Sequence, residues 1–211
     1  MTRTSPIRDA AEWAEALGIS AESIELYRAS EVIDLHLDTF IWTRIFGYDL
    51  HARHGRGLLG ARFYSQVDFP RVLEAELSGA TWIITTNPFR TAAGRARAFT
   101  RNLNRIRENF AAAPDRVRVV RNLREYWAAR EAGLHAAFLG IQGGNALDEN
   151  LDALDRLVDD WIVRVTLVHL TSSTLGVTSS PARLGGDAGL TDFGRDYVRR
   201  LNEKRVLVDL A

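Results

Sequence analysis

The sequence predicts an α/β protein of the (β/α)8 TIM-barrel type, truncated after about five strands. Three observations predict it. Short apolar runs alternate with amphipathic helical stretches along most of the chain, the pattern of parallel strands joined by crossover helices. Five of these runs have the length of main strands, and each except the last is followed by a helical stretch. The first run also lacks the glycine-rich phosphate loop that a doubly wound nucleotide fold places after its first strand. A doubly wound sheet and an unfinished barrel both produce the alternation, and the missing glycine pattern favours the barrel.

The elements follow in order. Two short helices are expected over residues 9–17 and 21–28, divided by Gly18. Residues 32–38 alternate apolar and polar and read as a strand. A Gly/His/Arg-rich stretch, 47–62, reads as a long loop. A helix starts at Asp68, a cap with Pro70 in the first turn, and is expected to end near Gly79. Residues 81–86 form a short apolar strand. Phe99, Leu103, Ile106 and Phe110 recur at helical spacing and stop before Pro114. Residues 117–120 suit a minor strand. Asn122 and Glu125 have capping-box spacing for a helix to Ala132. A strand over 136–141, a helix over 149–160 with Leu151, Leu154 and Leu157 on one side, and a strand over 162–168 come next. After a loop over 170–189, a helix over 191–204 and a strand over 206–210 complete the series. Residues 1–30 are read as an N-terminal helical segment and 31–211 as the incomplete barrel.

Composition narrows the functions. With 211 residues and 46% hydrophobic content, the chain can bury a sizeable core. Its 27 basic and 27 acidic residues balance, so no long-range field recruits nucleic acid or an anionic membrane. There is no cysteine, which leaves His, Asp and Glu as metal ligands. No run approaches the ~20 apolar residues of a membrane span, and the first residues lack the apolar core of a signal peptide. A soluble, cytoplasmic protein without nucleic-acid or membrane partners is expected.

The strand over 32–38 carries the first chemical signal. Strict alternation puts Ile33, Leu35 and Leu37 on one face and Asp34, His36 and Asp38 on the other. In a parallel barrel the residues at strand C-termini build the active site. There His36 and Asp38 can both reach one metal ion; the same pattern also suits a half-buried strand with a solvated polar face. Gln142 follows the strand over 136–141 and would sit at the same rim. The Gly143-Gly144 pair after it allows either an ordinary tight turn or close approach of backbone to a ligand. His169 follows the strand over 162–168. It could be a metal ligand, an acid/base, a substrate clamp or a loop histidine bonded to a carbonyl. His51, His54 and His135 are expected to face solvent.

In order and spacing, five blocks resemble the renal (membrane) dipeptidase family. Asp34-Leu35-His36-Leu37-Asp38-Thr39 resembles its opening His-x-Asp metal motif, and Gln66-Val67-Asp68-Phe69-Pro70-Arg71 its second block. The stretch from Gly140 to Leu147 resembles the Glu-Gly-Gly segment, and Thr166-Leu167-Val168-His169 the Leu-Thr-His segment. Residues 189–194 with Leu201-Asn202 and 206–210 are similar to the block leading to the next metal histidine. The resemblance spans about residues 31–211. It implies a (β/α)8 barrel with two zinc ions that hydrolyses dipeptides, a metal-bound hydroxide attacking the peptide carbonyl. His36 and Asp38 would bind the first zinc, His169 would contact substrate or intermediate, and pairing as a homodimer would follow family habit.

Two departures stand out. Gln142 occupies the position of the family's bridging Glu, offering a neutral amide where a carboxylate would join two cations. Two dications ~3.5–4 Å apart repel strongly even at an effective dielectric of ~20, so loss of the bridging charge weakens the second ion first. The sequence also stops at Ala211, where the family places its next histidine ligand. The chain is therefore expected to be the N-terminal portion of a longer enzyme and inactive by itself, with a non-catalytic binding or scaffold relative as the alternative.

Overall fold

The computed structural model describes residues 9–55, 67–87, 89–148, 151–158, 161–179 and 189–211. The N-terminal pair of helices forms as the sequence indicates. Helix α1 (Ala10–Leu17) is capped by the Asp9 carboxylate and closed by Gly18 in the left-handed conformation, φ 68°. Helix α2 (Ala21–Ala29) starts at the Ser20 cap. Its Tyr27 hydroxyl donates to the Ala75 carbonyl at 2.7 Å, which fastens the pair to the turn that precedes β2 (Gly79–Thr85).

Six parallel strands make one curved sheet: β1 (Ile33–Leu37), β2 (Gly79–Thr85), β3 (Val117–Val119), β4 (His135–Gln142), β5 (Ile162–Thr166) and β6 (Leu207–Asp209). The main path runs β1-β2-β4-β5-β6, and β3 pairs only with the start of β4. Five main strands and one minor strand are what the alternation predicts. Between them lie α3 (Thr39–Phe46), α4 (Phe69–Glu74), α5 (Ala92–Ala111), α6 (Leu123–Glu131), α7 (Leu151–Val158) and α8 (Asp192–Glu203). Among the described residues no helix is long and apolar enough to cross a membrane.

The core forms between this sheet and its helices. Trp82 of β2 is fully buried against Phe69 of α4 and Phe110 of α5, with ring centroids 5.7 and 5.6 Å away. Phe99, Leu103, Ile106 and Phe110, the predicted apolar stripe of α5, are all buried. Leu154 of α7 is buried as expected, whereas the side chain of Leu157 lies outside the described residues. A smaller cluster covers the opposite, inner face near the strand starts, where Tyr126 of α6 stacks on Phe138 of β4.

Four expectations need correction. Residues 39–46 form α3, a helix the sequence reading leaves unassigned because its cap, Asp38, reads as the last residue of the strand; in the fold Asp38 makes no side-chain capping bond. The helix from Asp68 stops at Glu74, because Glu76 takes a positive φ of 52° and turns the chain so that Gly79 opens β2 instead of ending the helix. His135 is buried, and His51 and His54 are half-buried rather than solvent-facing. His54 stacks on Tyr48 at 3.9 Å and His51 meets Phe69 edge-on. The capping box is also modified: Asn122 accepts from the Glu125 amide at 3.0 Å, but Glu125 returns its bond to the Arg121 amide. The loop beyond residue 55, Gln66, both ends of the 149–160 helix and the 180–188 part of the late loop lie outside the described residues.

Candidate metal centre

Parallel register determines which side chains share the inner face. Thr85 of β2 is level with Gln142 of β4, Gln142 with Thr166 of β5, and Thr166 with Asp209 of β6. These four residues therefore form a polar row at the C-terminal ends of adjacent strands, the edge on which barrels of this type carry chemistry. The Thr85 hydroxyl donates to the Gln142 side-chain oxygen at 3.3 Å. The Thr166 hydroxyl donates to Asp209 at 2.5 Å.

Strand β1 joins the row through an irregularity. Ile33 and Asp34 pair with Gly79 and Ala80, but Leu37 pairs with Trp82, so β1 carries one extra residue between Asp34 and Leu37. The expectation that Asp34, His36 and Asp38 share one face is thus overturned. A bulge shifts the alternation by one, leaving Ile33 and Leu37 on opposite faces and Leu35 68% exposed. The same shift keeps His36 and Asp38 together at the rim, with Nε2 and Oδ2 3.3 Å apart. Asp34 turns away and accepts the His36 backbone N–H at 2.8 Å.

His169 comes from the loop after β5. Two backbone bonds, Gly143 N–H to Thr166 and Gly144 N–H to Leu167, at 3.1 and 3.0 Å, tie this loop to the turn after Gln142. Gly143 has φ 91°, a conformation other residues rarely adopt, and a Cβ there would come within 2.9 Å of Asn145 Oδ1. Burial lowers the His169 pKa; the nearby Asp38 carboxylate opposes this and His36 adds to it. The structure thus brings His36, Asp38 and His169 into one electrostatic neighbourhood, with Gln142 beside the turn that carries His169.

The chemistry of the His36–Asp38 pair fits a metal. Asp38 Oδ1 is buried and has no hydrogen-bond partner among the described residues. A buried carboxylate oxygen without a donor is unfavourable by itself and is relieved by a cation. Imidazole and carboxylate oxygen form an ordinary zinc donor pair. Among the described residues, however, no group of three or more His, Asp or Glu converges on one point. Gln142 adds only a neutral amide oxygen. The donors present suit one ion with an incomplete shell.

Sequence reasoning missed Arg164 and Asp209. Arg164 Nε and Nη2 donate to Asp209 at 3.2 and 2.5 Å, and its Nη1 donates to the Leu35 carbonyl. Burial raises the Asp209 pKa, but the Thr166 hydroxyl, the Ala211 amide and Arg164 outweigh it and hold the carboxyl below its usual value. An arginine inside an otherwise apolar strand was the available signal.

A curved parallel sheet with most of its helices on the outer face and a polar rim at its strand ends defines half of an α/β barrel. The chain belongs to the membrane dipeptidase family, peptidase family M19, whose sequence pattern matches residues 20–211. Solved structures with the same fold include the probable dipeptidase PvdM from Pseudomonas aeruginosa, at 19% identity and a TM-score of 0.74 over 96% of this chain and 50% of that one. A dipeptidase of family M19 matches at 21% identity and 0.69 over 85% of this chain and 55% of the other. A metallopeptidase from Rhodobacter sphaeroides, bound to a phosphinate mimic of the dipeptide L-Ala-D-Ala, matches at 19% and 0.67 over 85% and 57%. The chain spans about half the length of these structures.

Proposed function

We propose that this protein acts as a metal-dependent dipeptidase in which His36 and Asp38 hold the first metal, zinc being the ion their donors suit best. The observation that carries this reading is the buried, unpartnered Asp38 oxygen beside His36 at the end of β1. When bound, the metal supplies Lewis-acid polarisation of the scissile carbonyl and activation of water. His169, its pKa lowered by burial, is mainly neutral near pH 7 and presents one ring N–H to the carbonyl oxygen of a dipeptide. Gln142, held by Thr85, takes the bridging position but contributes no charge.

The uncharged Gln142 favours a second reading: a non-catalytic relative that retains a binding site. Zinc titration of the full-length protein, paired with hydrolysis of L-Ala-D-Ala, separates the two. Zinc-dependent hydrolysis lost in His36→Ala and Asp38→Ala supports the dipeptidase, whereas zinc binding without turnover supports the binding protein. Two tight zinc sites in the wild type would refute the expectation that Gln142 weakens the second ion. Hydrolysis gained by Gln142→Glu would mark a decayed enzyme, and no gain a site lost more widely.

A further inference from the structure

The peptide group between Leu35 and His36 is held at both ends by side chains. Its N–H is taken by the Asp34 carboxylate at 2.8 Å, and its carbonyl accepts from Arg164 on β5. Leu35 and His36 are the two residues that the pairing of β1 with β2 skips, so the sheet ladder does not set their orientation. Because a peptide group is planar, fixing its N–H and its C=O fixes the plane. That plane limits, together with rotation about the N–Cα bond, the directions in which the His36 side chain leaves the backbone.

We propose that Arg164 is a positioning residue for the metal-binding pair: anchored on Asp209, it clamps the β1 bulge through the Leu35 carbonyl and so aims His36 beside Asp38. The inference rests on reading His36 and Asp38 as metal ligands. Arg164 suits this work because its rigid fork serves two partners at once. Two of its nitrogens engage Asp209 while the third reaches an element 129 residues away in sequence. Asp209 is itself held by the Thr166 hydroxyl, so the anchor belongs to the same inner-face row as Gln142. Arg164 and Asp209 are only 12% and 13% exposed. A largely buried ion pair contributes little net stability compared with apolar packing, which leaves orientation as the work it performs.

The test uses metal-free full-length protein, with zinc affinity read by calorimetry and exchange of the His36 amide read by NMR. Arg164→Gln removes the clamp. The double variant Arg164→Gln/Asp209→Asn removes it without stranding a carboxylate, which keeps the test valid if the single variant folds poorly. Both are expected to weaken zinc binding by about 10–100-fold, the usual effect of losing a partner that orients a ligand, and to quicken His36 exchange. Tyr126→Phe, at the other end of the sheet, is expected to lower stability and leave zinc affinity alone. Wild-type affinity and unchanged His36 exchange in the double variant would overturn the proposal. If the wild type binds no zinc but Arg164→Gln still quickens exchange, the metal reading falls while the clamp on the bulge stands.

Discussion

Trp82 donates its indole N–H to Nε2 of His135, 3.2 Å away, and both side chains are buried between the sheet and its helices. The other ring nitrogen of His135 lies 3.0 Å from the Leu77 carbonyl, so the neutral tautomer protonated at Nδ1 satisfies both partners. Protonation would set a second N–H against the indole donor in a buried site. Burial accordingly pushes the pKa of His135 down to about 4, more than the opposing Leu77 bond restores.

Stability should therefore depend on pH in a defined window. Below the unfolded pKa of 6.5 the unfolded chain takes up a proton that the folded chain refuses until about pH 4. The contribution of His135 is complete above that window and is lost as pH falls through it, by about 3 kcal/mol at the lower end. Urea denaturation at pH 7 and pH 4.5 measures it. The wild type should lose more stability between the two pH values than His135→Leu does, and equal losses would contradict the assignment.

The Arg95–Asp148 pair should be a main support of the rim. Arg95 contacts both Asp148 oxygens at 3.0 Å, and Thr174 donates to the same carboxylate at 2.6 Å. This links the start of α5 to the segments after β4 and β5. The Asp148 side chain is 1% exposed, so Asp148→Ala leaves the largely buried Arg95 guanidinium without a carboxylate and should cost about 3–5 kcal/mol. A loss below 1 kcal/mol in denaturant melts would show that the link is dispensable.

Asp38→Ala should act in the opposite direction on the metal-free protein. It removes a buried oxygen that lacks a donor, so metal-free stability should hold or rise by about 1 kcal/mol. Stabilisation by added zinc should disappear. Thermal melts with and without zinc decide it, and an Asp38→Ala protein still stabilised by zinc would move the site elsewhere.

Phe110 packs against both Phe69 and Trp82, so Phe110→Ala should destabilise by about 3–5 kcal/mol. Equilibrium unfolding measures this loss. Zinc affinity at the rim, on the far side of β2 from this cluster, should be unchanged.

The sequence by itself determined the strand and helix alternation, the buried stripe of α5, the caps at Asp68 and Asn122, and the position of His36, Asp38 and Gln142 at strand ends. These are local properties, set by periodicity and by which residues satisfy the open N–H groups of a helix. Helix α3 escaped because its cap, Asp38, also completes the alternation of the preceding strand. Only the tertiary structure decided that His135 is buried, that β1 bulges, and that Arg164 reaches Leu35. Each depends on residues far apart in the chain: Trp82 for His135, the register with β2 for the bulge, and Asp209 for Arg164. Local pattern says which face a side chain prefers, while the neighbouring strand decides where that face points.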